Sequence, residues 1–255
     1  MTGRLEGKAA VVTGAGAGIG AATARRFAAE GARLALNDLR AERLDQLVAE
    51  LAAGGAEVVG SAGDASERAT VDALIALAIE RFGRVDVLYA NAAYSIPHLV
   101  ADITDEEWRE QQRVVLDSVF YATRAVLPHM VRQGGGSIIA ISSGAGIGGE
   151  YSMGAYAAHK AAVINLMETV AMEYGPYGVR ANAITPGPTA TEPMLAWVAT
   201  QPGGEAAHAS ALDLKRLSRP EEVANLVLFL ASDESSNITG TCIRSNVRAK
   251  HRPGD

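Results

Sequence analysis

Tyr156 and Lys160 stand four residues apart in the stretch GAYAAHKAA, positions 154–162. On a helix that spacing puts both side chains on one face. A phenol beside an ammonium suggests proton transfer to or from an oxygen. A free phenol has a pKa near 10 and is a poor acid–base catalyst at neutral pH. An ammonium at ~4 Å, with an effective dielectric near 20, stabilises the phenolate by roughly 4 kcal/mol, a generous limit of about three pKa units. The same pair also suits a solvated helix face carrying a chance tyrosine. The elements that position it decide between the two.

Short β-branched runs alternate with longer helical patterns. Strands are expected at 8–13, 33–38, 56–61, 86–91, 136–142, 179–185 and 239–245. Helices are expected at 19–31, 40–55, 67–83, about 104–132, 153–174 and 220–231. Such alternation implies parallel strands joined by crossover helices. The strands are near-continuous apolar runs, as expected when both faces are covered. The expected fold is therefore α/β, a Rossmann-type doubly wound parallel sheet of about seven strands with helices on both faces. No linker divides the 255 residues, so a single dinucleotide-binding and catalytic domain is expected over 1–255. The segment 188–215 holds Pro188, Pro193, Pro202, Gly203 and Gly204. It reads as an irregular substrate loop or lid.

Composition narrows the function. The formal net charge of −6 disfavours nucleic acid as a partner. No apolar run reaches the roughly 20 residues that span a bilayer. The four apolar residues Ala9 to Val12 are too few for a signal-peptide core, so a reduced, cytoplasmic setting is expected. The one cysteine, Cys242, excludes an intrachain disulfide and a cysteine metal cluster.

The turn TGAGAGIG, positions 13–20, links the first strand to the first helix. Glycines there let the backbone approach a pyrophosphate, and the following helix end offers free N–H groups. Small residues also serve tight packing, but the position between strand and helix favours phosphate binding. Asp38 ends the second strand, 18 residues after Gly20. A carboxylate there accepts hydrogen bonds from adenosine ribose hydroxyls and repels a 2′-phosphate. Neither Ala17 nor Leu39 supplies a compensating cation, although Arg40 is within reach, so NAD is expected over NADP. Asp38 also reads as a cap for the helix that begins near Arg40.

TGAGAGIG together with YAAHK resembles the short-chain dehydrogenase/reductase family, and the resemblance runs from about Arg4 to Gly240. Asp64 resembles the family's adenine-contacting aspartate. The triplet 91–93, Asn91, Ala92 and Ala93, resembles Asn-Ala-Gly with alanine for glycine. Ser143 stands thirteen residues before Tyr156, the family's spacing for its catalytic serine. PGPTAT, positions 186–191, resembles the turn that contacts nicotinamide. The resemblance implies catalysis by Ser143, Tyr156 and Lys160 without a metal. It implies cofactor contacts at Gly14, Gly16, Ala17, Gly18, Ile19, Gly20, Asp38, Leu39, Asp64, Ala65, Asn91, Ala92, Ala93, Tyr156, Lys160, Pro186, Gly187, Thr189 and Thr191. Tyr156 would exchange a proton with a substrate oxygen polarised by Ser143. Lys160 would lower the tyrosine pKa and hold the nicotinamide ribose. Ser142 reads as a strand-end residue and His159 as a surface or interface histidine. A homo-oligomer, preferably a tetramer, is implied.

The expected substrate is a small to medium, partly hydrophobic alcohol or ketone. Tyr94, Ser95, Glu150, Tyr151, Met153, Met194 and Trp197 would surround it, with core packing an equal reading for the last two. Steroid-like, cyclic and hydroxyacyl compounds all stay open.

Two departures from the family stand out. Seven residues after Trp108 the family usually carries an Asn that interrupts a helix and orients a proton-relay water; here Val115 stands there. Ser245, Asn246, Val247 and Arg248 replace the usual Val-Asp-Gly-Gly, opening an atypical tail within 242–255 that reads as a solvated end. These departures support the competing reading of a catalytically attenuated NAD-binding sensor or scaffold. Valine cannot hold a water through its side chain, so turnover is expected to be reduced. Val115→Asn should raise the turnover rate; steady-state rates measured across the pH range check this, and no gain at any pH would discard it.

Overall fold

A computed structural model describes residues 3–246. Among these residues seven strands form one sheet: β1 (Ala9–Thr13), β2 (Arg33–Asp38), β3 (Val58–Ala62), β4 (Val87–Ala90), β5 (Gly136–Ile141), β6 (Val179–Pro186) and β7 (Cys242–Ser245). Their order is β3-β2-β1-β4-β5-β6-β7, and every pairing is parallel. Val11 of β1 lies opposite Ala35 of β2 on one side and Leu88 of β4 on the other. Between β1 and β4 the strand order reverses, and the crevice at the carboxyl ends of such strands is where ligands bind.

Parallel strands need helical crossovers, and the helices cover both faces. Helices α1 (Gly18–Ala29), α2 (Ala41–Ala53) and α9 (Pro220–Ala231) pack on one face around Phe27, Leu36, Leu47, Tyr89 and Val227. Helices α3 (Arg68–Phe82), α5 (Ser118–Gln133) and α6 (Gly154–Tyr174) pack on the other around Leu74, Leu88, Val126, Ile138 and Met167. No helix of the described residues is long and apolar enough to cross a membrane.

Three expectations change. The long helix expected at 104–132 is built in three parts: α4 (Asp105–Gln112), a π turn (Arg113–Asp117) and α5. Thr104 and Glu107 cap its start reciprocally. The last strand forms only over Cys242–Ser245, because Gly240 takes φ +67 and Thr239 is spent on the Ala181 N–H of β6. The segment 188–215 is only partly irregular. It folds into α7 (Glu192–Ala199) and α8 (Gly204–Ser210). Its breakers sit where helices tolerate them, Pro193 in the first turn of α7 and Gly203, at φ +74, capping α8. Asn246 at φ +48 fastens this region: its amide accepts from Leu214 N at 3.0 Å and donates to the Arg216 carbonyl at 2.8 Å. The tail beyond it, 247–255, lies outside the described residues.

The glycine turn is packed to its limit. A methyl group at Gly20 would collide with the Gly14 carbonyl and come within 2.7 Å of Asn91 Nδ2. Gly20→Ala should therefore lose at least about 1–3 kcal/mol of stability, the usual cost of overpacking. Urea unfolding of both proteins measures the difference.

Candidate functional site

The site gathers at the carboxyl ends of β1, β4, β5 and β6. Thr13, the last residue of β1, accepts hydrogen bonds at Oγ1 from Asn91 N (3.0 Å) and Ala92 N (3.3 Å), which ties β1 to the segment after β4. Asn91 Nδ2 donates to the Gly14 carbonyl at 2.9 Å. Asn91 and Ala92 are therefore fixed from both sides, while Ala93 is exposed.

The turn fits a pyrophosphate. Helix α1 starts after Ala17, whose backbone is extended and which gives no side-chain cap; no acidic residue lies in the first turn, which includes Ile19. Its N-terminal N–H groups are thus left for an anion. A methyl at Gly14 would meet Ala92 Cα at 2.9 Å, one at Gly16 would meet Asp38 Cγ at 2.7 Å, and one at Gly18 would meet Thr191 Cγ2 at 2.9 Å. These glycines form a cradle whose floor and rim allow no side chain. Asp38 accepts from Gly16 N at 2.8 Å and from Arg40 N at 2.9 Å, so it both shapes the turn and helps start α2. Leu39 beside it is 69% exposed.

Thr191 brings the 188–215 segment over the turn. Arg43 of α2 reaches Glu192 at 3.0 Å and closes the same rim. Pro186 ends β6, Gly187 N donates to the Ser245 carbonyl at 2.8 Å, and the buried Thr189 donates to the Gly187 carbonyl at 3.0 Å. Of the substrate-side candidates, Tyr94, Ser95, Glu150 and Tyr151 are exposed, and Met153 and Met194 are half-buried. Trp197 is 40% exposed and packs edge-on against His208, so it is not a core residue.

The Asp64 carboxylate accepts from Ser66 N (2.9 Å), Ser66 Oγ (2.5 Å) and Arg113 Nη1 (2.7 Å). These partners outweigh its partial burial and hold its pKa below the usual carboxylate value. Ala65 beside it is buried.

Ser143 follows β5 and caps a single 3₁₀ turn, Gly144–Gly146, accepting from Ala145 N at 3.2 Å. The half-buried Tyr156 stands near the start of α6, close enough to the Ser143 hydroxyl for it to offset part of the rise that burial gives the phenol pKa. Lys160 is 1% exposed, and its Nζ donates to the Ile141 carbonyl at 2.7 Å. Ser142 does not face the cleft: its hydroxyl donates to the Lys160 carbonyl at 2.8 Å, tying β5 to α6.

Ser143, Tyr156 and Lys160 come together, and burial works against the expected electrostatics. Lys160 Nζ lies 5.6 Å from the centre of the Tyr156 ring. Burial lowers the Lys160 pKa to about 7 and raises that of Tyr156, against a smaller lowering by the Ser143 hydrogen bond. Removal of water outweighs the attraction assumed from the spacing. A second correction concerns His159. It is 5% exposed, lies against the Trp108 ring at 4.7 Å and is held below its usual pKa by burial, so it is no surface residue. Val115 is fully buried in the π turn, which keeps a helix interruption without an asparagine.

Several positioning residues gave no signal in sequence. Thr13, Arg43, Gln111 and Arg113 reach partners 15 to 149 residues away, and only Thr13, the first residue of the glycine turn, sat in a motif. Gln111 lies 15 residues from its nearest loop partner and is fully buried.

The comparisons with known proteins follow this geometry. A family model described as enoyl-(acyl carrier protein) reductase matches residues 14–246. A 3-oxoacyl-(acyl-carrier-protein) reductase from Thermotoga maritima is 40% identical over 243 residues, covering 94% of this chain and 96% of its own. A meso-2,3-butanediol dehydrogenase from Serratia marcescens is 36% identical, covering 94% and 93%. A solved structure of 7α-hydroxysteroid dehydrogenase complexed with NADH and 7-oxo glycochenodeoxycholic acid superposes with a TM-score of 0.91 at 31% identity, covering 97% of both chains. With its parallel sheet and glycine turn, the chain belongs to the short-chain dehydrogenase/reductase family of oxidoreductases.

Proposed function

We propose that the protein is an NAD-dependent oxidoreductase that interconverts a secondary alcohol and its ketone, working as a single dinucleotide-binding and catalytic unit. The observation that carries this reading is the meeting of Ser143, Tyr156 and the buried Lys160 beside a glycine cradle that admits no side chain. The cradle and the free end of α1 would hold the pyrophosphate, and Asp38 the adenosine ribose. Asp38 supports NAD over NADP, because its carboxylate lies at the rim and Arg43, the cation beside Gly16, is engaged by Glu192. When bound, the nicotinamide supplies or accepts the hydride.

The chain's own residues handle the proton. Ser143 donates a hydrogen bond to the substrate oxygen and stabilises charge developing there. Tyr156 holds the proton exchanged with that oxygen. Lys160, held by the Ile141 carbonyl 5.6 Å from the centre of the Tyr156 ring, favours the phenolate when protonated and would hold the nicotinamide ribose. The fully buried Val115 favours the second reading, an attenuated NAD-binding sensor or scaffold.

Two measurements test this reading. Hydride transfer is followed with NADH and NADPH against diacetyl and acetoin, a cyclic ketone, a 7-oxo bile acid and an acetoacetyl thioester, and with NAD and NADP against the corresponding alcohols. Turnover with NAD that falls by about 10³-fold or more in Tyr156→Phe is expected, since general acid–base catalysis contributes about 10²–10⁴. Tight NADH binding with no turnover of any compound would instead favour the sensor. The second measurement concerns pH. The unfolded chain keeps the Lys160 proton to about pH 10.4, the folded chain only to about 7. Between those values the unfolded state holds one more proton, so this group makes the fold more stable as pH rises. Urea unfolding from pH 7 to 10 should show that rise, and Lys160→Met should flatten it.

A further inference from the structure

The last turn of α4 holds the segment after β4 at three points. Gln111, fully buried, accepts from Ile96 N and donates to the Tyr94 carbonyl, both at 3.3 Å. Glu110 accepts from the Tyr94 hydroxyl at 2.7 Å. Glu110 is in turn clasped by Arg113, which donates to both its oxygens at 2.8 Å. The free edge of the same guanidinium reaches Asp64 at 2.7 Å and also bonds Ser66. Tyr94 and Asp64 are thereby joined through Glu110 and one arginine. The bidentate clasp and the shared carboxylates make this a network rather than a lone surface pair, the case in which ion pairs matter.

We propose that Arg113 is a positioning residue that makes the 92–99 segment, with Tyr94 on the substrate side, respond to occupation of the adenine end of the cleft. The inference rests on the cofactor reading given above. Both Ser66 donors use one oxygen of Asp64, and Arg113 uses the other. A ligand amine that donates to Asp64 must share the oxygen that Arg113 occupies. Any shift of Arg113 is felt at Glu110, where one oxygen accepts from both Arg113 and Tyr94. The coupling thus travels through discrete hydrogen bonds between two places where ligand sits.

Amide hydrogen exchange tests this without knowledge of the substrate. NADH added to the unaltered protein should change exchange across 92–99 as well as at the glycine turn. In Arg113→Met the turn and residues 91–93 beside it should still respond and 94–99 should not. For the best compound of the panel above, Arg113→Met should raise KM by about tenfold or more, the loss falling on KM rather than kcat. Tyr94→Phe, which leaves Arg113 and Asp64 paired, should give a comparable rise in KM, and the double variant should be no worse than either single one. It also serves should Arg113→Met fail to fold, because loss of the 94–99 response in Tyr94→Phe carries the same meaning. An unaltered protein that binds no NADH overturns the cofactor reading and this inference with it. A 94–99 response that persists in the variants, or KM effects that simply add, overturns the inference alone.

Discussion

The Lys160 ammonium is shut away from water against the end of β5, and the geometry of the site depends on that contact. A buried charge needs a partner, and the Ile141 carbonyl is the one it has. One residue later the direction reverses: Ser142 donates back to the Lys160 carbonyl. Two hydrogen bonds of opposite sense lock one residue of α6 to the last turnings of the strand. Ser143 comes next in sequence and Tyr156 one helical turn earlier, so both inherit their places from this lock. The same enclosure sets the protonation chemistry, because a site that excludes water penalises ammonium and phenolate alike.

Much of the fold was legible because parallel strands buried on both faces leave unbroken apolar runs, and helices end where glycine follows, as at Gly83 and Gly134. The Tyr156–Lys160 pair was legible because helical spacing alone puts the two on one face. What spacing does not encode is burial. The pair was read with water around it, so attraction was given the larger weight, whereas the folded chain removes the water. His159 was misjudged for the same reason: nothing local announces that Trp108 will cover it. The 188–215 segment was misjudged because proline and glycine were read as breakers, when their places at helix starts make them punctuation. Gln111 and Arg113 were invisible because an ordinary polar helix face looks the same whether it meets solvent or a neighbouring segment.

The glycine turn and the sheet depend on each other. Thr13 and Asn91 join the ends of β1 and β4 across the point where strand order reverses. The turn can approach them only because its residues lack side chains, and Thr191 then seals the opening from above. Glycine cradle, strand ends and covering segment are one packed object.

The π turn has a geometric consequence of its own. Gln111, Val115 and Val119 are all buried, at intervals of four. On an ordinary helix eight residues overrun two turns by about 80°. The wider turn at Arg113–Asp117 absorbs that overrun. It acts as a phase corrector in a single rod. One end of the rod is aimed at the mouth of the cleft through Glu110 and Gln111, the other at the interior through Val119 and Val126. Shortening it by one residue would swing the two ends about 100° out of alignment, so that only one could stay in place.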